Sequence, residues 1–307
     1  MSISGEVIAI DMSDLSSAYH SADRAFRVPP CSSPDFVSSV VNLAREHRVG
    51  LVIPTVDPEL PVYSRHRDEF SKHGITVLIS KPETIDLTND KVNTHRWLAE
   101  KGFPTVRQGF CEEILGEPQN WEFPLIVKPR SGSASRGVFR VGTREQLFFV
   151  ASQSDPEDLI VQAPALGREY TVDVLVNRSG RCVCAVPRKR LEVRAGEVSK
   201  GMTVRHPMVE GLAKSIAEAL PGSYGPMNIQ IFHDPDSGAL NVVEINARFG
   251  GGYPLTEAAG GLYIRWILEE LLGLDSTLDS RLWTDGLVML RYDDGVFIPF
   301  SALESET

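Results

Sequence analysis

The stretch Leu240-Asn241-Val242-Val243-Glu244-Ile245-Asn246-Ala247-Arg248-Phe249-Gly250-Gly251-Gly252 constrains this chain more than any other, because it alternates apolar and polar side chains with the period of a β-strand. Side chains two apart on a strand point to the same face, so Glu244, Asn246 and Arg248 share one side and Val243, Ile245 and Ala247 the other. The apolar side demands a packed partner, which argues against a strand bathed in solvent on both faces. The polar side then brings a carboxylate, a carboxamide and a guanidinium to one spot. Oxygen donors of that kind suit a hard cation such as Mg²⁺, which takes one or two protein carboxylates and fills its shell with water and nucleotide phosphates. An adjacent Arg meets the phosphate charge.

Upstream, Met227-Asn228-Ile229-Gln230-Ile231-Phe232 reads as a second strand, and the Asp234-Pro235-Asp236-Ser237-Gly238 turn joins the two as a hairpin with Gln230 near Glu244 and Asn246. A strand glutamine, a hairpin turn, then V-E-I-N-x-R followed by glycines resembles the metal-binding hairpin of the ATP-grasp superfamily. The resemblance implies that Gln230, Glu244 and Asn246 hold one or two Mg²⁺ ions, or Mn²⁺ in their place, against the β- and γ-phosphates of ATP. It implies too that Arg248 steadies the phosphoryl intermediate.

Pro124-Leu125-Ile126-Val127-Lys128-Pro129 is an apolar strand ending in a lysine, followed by the small-residue loop Ser131-Gly132-Ser133-Ala134-Ser135-Arg136-Gly137. Such a loop exposes backbone N–H groups to phosphate, and the lysine supplies a mobile point charge. A lysine before a Gly/Ser turn is common in itself. Within the resemblance, Lys128, Ser131, Gly132 and Ser133 contact ATP, and Lys91, at the start of an amphipathic helix from Asp90 to Lys101, is the first ATP-contacting lysine. Leu159-Ile160-Val161-Gln162 and Glu169-Tyr170-Thr171-Val172-Asp173 supply two further strands. The resemblance makes the segment between them the hinge that holds adenine. Gln162 then faces the adenine amino group, Ala163 and Ala165 offer backbone C=O and N–H to the purine edge, and Glu169 binds the ribose hydroxyls. The acid and aromatic usual at this hinge are replaced by Ala163-Pro164, which leaves recognition to the backbone.

Residues 187 to 201, P-R-K-R-L-E-V-R-A-G-E-V-S-K-G, form the most basic run in a chain of net charge −10. The run carries Glu192 and Glu197 and no interleaved aromatic, unlike a nucleic-acid groove. In the related ligases the corresponding loop covers the triphosphate and the acyl acceptor. Arg190, Arg194 and Lys200 therefore become candidates for phosphate or substrate-carboxylate contact, and Arg248, Lys128, Lys200 and Arg190 form the candidate catalytic set. The acidic balance argues against a nucleic-acid partner, whose binding rests on arrays of Lys and Arg. No apolar run reaches about 18 residues, and the polar start Met1-Ser2-Ile3-Ser4-Gly5-Glu6 is not a signal peptide, so a cytoplasmic protein with no membrane partner is expected. Cys31, Cys111, Cys182 and Cys184 are scattered, and the seven histidines show no zinc spacing.

The fold expected is mixed α/β and α+β. Residues 1–90 alternate short apolar strands with helical patterns, as a parallel sheet requires: Val7 to Asp11, Leu51 to Pro54 and Val77 to Ile79 as strands, Phe36 to His47 and Glu59 to Phe70 as helices. This resembles the domain that precedes the nucleotide-binding part of ATP-grasp proteins, but the chain starts almost at that domain's second strand, so either the true start lies upstream of Met1 or the first strand is lacking. Residues 91–165 form the linker helix and lid, in which Thr143-Arg144-Glu145-Gln146 opens a helix with a capping box. Residues 166–307 form the catalytic subdomain and end in a hairpin of 286–292 with 296–300.

The resemblance spans nearly the whole chain and is nearest to single-unit ATP-grasp proteins of the carbamoyl-phosphate-synthase type. It implies a Mg²⁺- and ATP-dependent carboxylate–amine ligase: ATP phosphorylates a small-molecule carboxylate, and an amine attacks the acyl phosphate. One ATP-grasp unit without a glutaminase-type Cys/His site does not by itself make carbamoyl phosphate. A homodimer or a partner subunit fits this reading. The competing expectation is an ATP-binding subunit, or a non-catalytic ATP-grasp protein that needs a partner chain.

Overall fold

The computed structural model describes residues 3–116, 120–132, 137–153, 155–194, 196–300 and 303. The chain divides into two units, Met1–Leu78 with Arg291–Thr307 and Ile79–Leu290.

In the first unit the order is β1 (Ile8–Asp11), β2 (Arg24–Arg27), α1 (Phe36–Glu46), β3 (Leu51–Val52), α2 (Leu60–Ser71) and β4 (Thr76–Val77). The strands pair in parallel, β1 with β2 and β3 with β4, as expected of a βαβ pattern. β2 was not anticipated: two arginines flank its Ala25 and Phe26, so its sequence lacks the apolar run that marks a buried strand. α1 forms because Phe36, Val37, Val40, Val41 and Ala44 fall on one buried stripe. That stripe brings Phe36 against Tyr63 of α2, ring centroids 5.4 Å apart.

The second unit begins with α3 (Pro82–Thr88) and α4 (Lys91–Glu100). Asp90 caps α4, its Oδ1 accepting the backbone N–H of Val92 at 2.8 Å and of Asn93 at 3.3 Å. The lid follows as β5 (Gln108–Phe110), α5 (Cys111–Gly116), β6 (Leu125–Pro129), β7 (Phe139–Val141), α6 (Arg144–Ala151) and β8 (Leu159–Gln162). Its four strands lie antiparallel in the order β5-β8-β6-β7. One face carries Leu125, Val127, Leu159 and Val161 into a core with Ile114 of α5 and Leu147 of α6. Thr143 caps α6 as expected, but the side chain of Gln146 reaches back to the N–H of Gly142 rather than to that of Thr143.

Next come β9 (Arg168–Val176), β10 (Cys182–Arg194), β11 (Glu197–Thr203), α7 (Pro207–Ala219), β12 (Gly225–His233), β13 (Leu240–Asn246), α8 (Tyr253–Ala258), α9 (Tyr263–Leu272) and β14 (Val288–Leu290). These strands make one six-stranded sheet, order β13-β12-β9-β10-β11-β14. α7 packs across β9, β10 and β12, covering Val172, Val174, Ile229 and Ile231, all fully buried. The terminal hairpin expected of 286–300 does not form. β14 pairs with β11 instead, and no strand lies in 291–300. The free edge of a five-stranded sheet already fixes half of each new pair, whereas an isolated two-stranded hairpin is marginal in water. The division also differs from the one expected: the first unit ends at Leu78 rather than near 90, and the segment from Arg291 groups with it rather than with the sheet. Among the described residues no helix is long and apolar enough to cross a membrane.

Candidate active site

Pairing register, more than proximity in sequence, assembles the site. β12 sets Gln230 opposite Glu244 and Asn228 opposite Asn246 of β13, and on its other edge sets Gln230 opposite Thr171 and Asn228 opposite Asp173 of β9. β10 then sets Arg188 opposite Thr171. Opposed residues of antiparallel strands share a face, so one side of the sheet is a continuous polar surface. A cleft opens on it, lined by Thr171, Arg188, Arg190, Asn228, Gln230, Glu244, Asn246, Arg248 and Gly250 to Gly252. Arg248 joins from a turn rather than by strand alternation: β13 ends at Asn246, and the N–H of Arg248 donates back to the Asn246 carbonyl at 2.9 Å.

One part of the cleft wall carries the side chains of Gln230, Glu244 and Asn246, an oxygen-donor set of the kind a hard cation takes. Asn228 orients the third: its Oδ1 accepts from Asn246 Nδ2 at 3.3 Å, while its own Nδ2 donates to the Arg248 carbonyl at 3.2 Å. With its amino group so engaged, Asn246 keeps its oxygen as the free end. One carboxylate and two amides fit Mg²⁺ held largely by water and nucleotide phosphates rather than by an all-protein cage. Among the described residues no group of three or more His, Cys, Asp or Glu could hold a metal ion.

Arg188 was passed over in the sequence, where Arg190, Arg194 and Lys200 of the same run were preferred. It is 2% exposed and holds Asp173 through two bonds, Nε to Oδ2 at 2.7 Å and Nη2 to Oδ1 at 3.0 Å. Thr256 of α8 adds a third bond, Oγ1 to Asp173 Oδ2. The guanidinium lies directly against the glycine turn, so that a Cβ on Gly252 would stand 2.0 Å from Nη1. The backbone of Gly252 has φ −95°, which any residue adopts; its need for glycine is purely a matter of space. Gly252→Ala is therefore expected to cost about 1–3 kcal/mol of stability by overpacking and to impair turnover, read as a lower urea midpoint at unchanged slope together with slower ADP release. Asp173, Asn228 and Arg188 were legible in principle. Each lies two residues from a residue that was singled out or that faces one, and the period-two rule used on Glu244 and Asn246 extends to them.

The other basic candidates behave differently. Arg190 lines the cleft but is engaged: Nη1 pairs with Glu169 Oε1 at 2.5 Å and Nη2 donates to the Gly196 carbonyl at 2.9 Å, while Nε is buried without a partner. Glu169, expected at the ribose, is thus already paired with a residue expected at phosphate. Lys200 is not brought to the cleft. It pairs with Glu192 at 2.6 Å on the exposed side of the β10–β11 hairpin. Arg194 is exposed near the same hairpin tip.

On the lid side, Lys128 stands on the inner face of β6 opposite Ile160, with Ile126 opposite Gln162. Lys128 is 8% exposed, and burial pushes its ammonium down to about 8; the Glu244 charge opposes that depression and Lys91 adds to it. Lys91 Nζ donates to the Gly132 carbonyl at 2.8 Å, tying the start of α4 to the loop that begins at Ser131. Ser131 is exposed, and Gly132 uses a φ of +107° that only glycine adopts without strain. Ser133 lies outside the described residues. Gln162 is buried and donates Nε2 to Gln108 Oε1 at 2.7 Å, which leaves its own oxygen for a donor such as an amino group. The N–H of Ala163 is taken by the Arg107 carbonyl at 2.9 Å, so any contact of Ala163 with a purine edge falls to its carbonyl; Ala165 is half-buried in the segment that follows β8.

A lysine-bearing antiparallel lid and a sheet with amides, a carboxylate and guanidinium groups on one face make up the ATP-grasp fold. The chain belongs to the ATP-grasp domain family, whose model matches residues 88–252, and residues 1–78 match the PylC-like, N-terminal domain. The arginine-specific large chain of carbamoyl phosphate synthase from Eremothecium gossypii is 22% identical over 280 residues, covering 83% of this chain and 25% of that protein. The carbamoyl phosphate synthase large chain of Pseudomonas aeruginosa is 19% identical over 265 residues, 76% of this chain and 25% of that one. The chain thus spans about a quarter of the length of these curated relatives. Among solved structures, the biotin carboxylase domain of Hydrogenobacter thermophilus 2-oxoglutarate carboxylase, in complex with MgADP, ADP and bicarbonate, superposes with a TM-score of 0.72 at 19% identity, covering 92% of this chain and 68% of that one. An L-amino acid ligase from Bacillus licheniformis superposes with a TM-score of 0.62 at 18% identity, over 81% and 63% of the two chains. Likeness at these identities establishes the fold.

Proposed function

We propose that this protein is a cytoplasmic Mg²⁺- and ATP-dependent ligase that activates a small-molecule carboxylate as an acyl phosphate for attack by an amine. The observation that carries this reading is the convergence of Gln230, Glu244, Asn246 and Arg248 on one cleft, with the buried Lys128 of the lid within electrostatic reach of Glu244. Passive nucleotide binding does not require that set. The bicarbonate in complex with the Hydrogenobacter domain together with MgADP, and the L-amino acid in the name of the Bacillus ligase, support a carboxylate as the phosphoryl acceptor.

Mg²⁺ held by Gln230, Glu244 and Asn246 would neutralise the charge of the transferred phosphoryl group. Glu244 supplies the one full negative charge of that donor set, and Asn228 fixes the amide of Asn246 toward it. Arg248 offers its guanidinium to the phosphoryl oxygens or the acyl carboxylate. Lys128 comes to the same charge from the lid, and the guanidinium of Arg188 below the glycine turn keeps that turn in place. The carboxylate of the substrate is the nucleophile, so no side-chain nucleophile is called for. Assembly as a homodimer or with a partner subunit belongs to the same proposal, supported by the Hydrogenobacter biotin carboxylase domain, which is described as a dimer.

Glu244→Gln tests the reading. The amide keeps the shape and removes the charge, so the variant should fold normally, bind Mg²⁺ more weakly in the presence of ADP, and lose substrate-dependent ADP release across a panel of carboxylates and amines. Normal turnover at ordinary Mg²⁺ would sink the assignment. If the parent binds Mg-ATP and transfers phosphate to no acid in the panel, the protein is a nucleotide-binding subunit instead.

A further inference from the structure

A second cavity, of about 300 Å³, lies between α4 and the lid, lined by Val92, His95, Arg96, Ala99, Glu100, Gln108, Gly109, Phe110, Glu113 and Ile160. Its size is at the lower end of small-ligand sites, and its lining divides as theirs do into an apolar floor and a few polar groups. The floor is Val92, Phe110 and Ile160, the last two opposed across β5 and β8. The polar groups carry opposite charges. Arg96 is exposed on α4 and makes no ion pair among the described residues, while Glu113 anchors one oxygen to the Phe110 N–H at 3.2 Å and Glu100 stands one helical turn beyond Arg96. His95 donates Nε2–H to the Val106 carbonyl at 2.9 Å, and burial keeps its ring on the neutral side, so Nδ1 remains an acceptor.

We propose that this cavity is a regulatory site for an α-amino acid with an apolar side chain. Arg96 takes its carboxylate, Glu113 and the Nδ1 of His95 take its ammonium, and the side chain lies on Phe110, Ile160 and Val92. An acid without the ammonium leaves Glu113 and His95 facing nothing, and an amine without the carboxylate leaves Arg96 so. The net lining charge, one arginine against two glutamates, favours a ligand that carries a cation.

The location gives the site a consequence. α4 begins at Lys91, and Gln108 of β5 bonds directly to Gln162, so both elements that wall this cavity also place candidate contacts of the nucleotide. A ligand wedged between α4 and β5 fixes the spacing between the helix and the lid, and whatever factor it then imposes on nucleotide affinity, nucleotide imposes on its own. This coupling rests on the nucleotide reading above; occupancy of the cavity does not.

The test is calorimetric titration of the whole chain with L-leucine, with 4-methylpentanoate and isoamylamine as matched probes lacking one charge each. Leucine should bind saturably and both probes more weakly. Glu113→Gln and Arg96→Ala should each weaken leucine by about tenfold, the loss of one charge-assisted contact, with melting temperature and ADP affinity unchanged. ADP titrated with and without leucine should give two different affinities. Absence of saturable binding, equal binding of 4-methylpentanoate, indifference to both substitutions, or competition between leucine and ADP for one site would each overturn the assignment. Leucine binding without effect on ADP affinity would overturn the coupling. Failure of ADP to bind while leucine binds would count against the nucleotide reading and leave this site standing.

Discussion

Replacing Arg188 with leucine should cost about 3–5 kcal/mol of folding stability, the largest single effect expected outside the chemistry itself. Both members of the pair are almost wholly buried, with side chains 2% and 3% exposed, and the carboxylate of Asp173 accepts two guanidinium bonds and one from Thr256. Leucine fills most of the volume but leaves that carboxylate in a low-dielectric interior with one hydroxyl for company. The penalty is that of an uncompensated charge rather than the worth of the pair. The same argument predicts the outcome of a double substitution: Arg188→Leu with Asp173→Val removes both charges and should recover most of the loss, because a buried pair is often no more stabilising than apolar residues of similar volume. Urea unfolding of parent, both single variants and the double separates the terms. A single variant that loses under about 1 kcal/mol, or a double no better than the singles, would show that the buried charges are neutralised otherwise. Turnover should not return in the double variant, since the glycine turn would rest on a smaller side chain and lose the guanidinium that packs against Gly252.

Why Arg188 escaped notice while Glu244 did not is a matter of which interactions are local. The period-two alternation in 240–248 is visible in one strand, and the 234–238 turn aligns its partner, so Gln230, Glu244 and Asn246 could be grouped with no knowledge of the remaining strands. The Arg188–Asp173 pair depends on the register of β9 with β10, which shifts by one between Cys182 and Cys184 where no local signal reports it. Lys200 failed for a related reason. Arg188 and Arg190 of β10 oppose Thr203 and Gly201 of β11, so Lys200, next to Gly201, points to the other face of the sheet, and that register cannot be read from the basic run alone. The sequence 293–295 is a good turn locally, yet β14 answers to the unpaired edge of β11, which no local signal reports. The family resemblance supplied the lid and hinge, but not that Arg190 and Glu169 would be partners or that the Ala163 N–H would be spent on Arg107.

Lys128→Met should make the protein more stable and nearly inactive at once. In the unfolded chain this lysine keeps its proton up to its ordinary value of 10.5, whereas burial lowers it to about 8 in the folded protein. Between those values the unfolded state binds the extra proton, so stability rises with pH through that window, by about 3 kcal/mol in all at 1.36 kcal/mol per pH unit. Below about pH 8 both states are protonated, and the folded protein carries the whole cost of the buried charge. Methionine has similar length and no charge. At pH 7 the variant should therefore gain up to about 3 kcal/mol, and the rise in stability between pH 8 and 10.5 should vanish from its profile. The charge is worth keeping because phosphate repays it. If Lys128 meets the phosphoryl group as charge shifts in the transition state, its loss should slow single-turnover transfer about a hundredfold, as loss of one preorganised electrostatic donor does. ADP, without the γ-phosphate, should lose less affinity than the reaction loses rate. A variant less stable than the parent at pH 7 would mean that a neighbouring carboxylate already offsets the ammonium in the absence of nucleotide. Unchanged phosphoryl transfer would remove Lys128 from the chemistry, whatever its effect on stability.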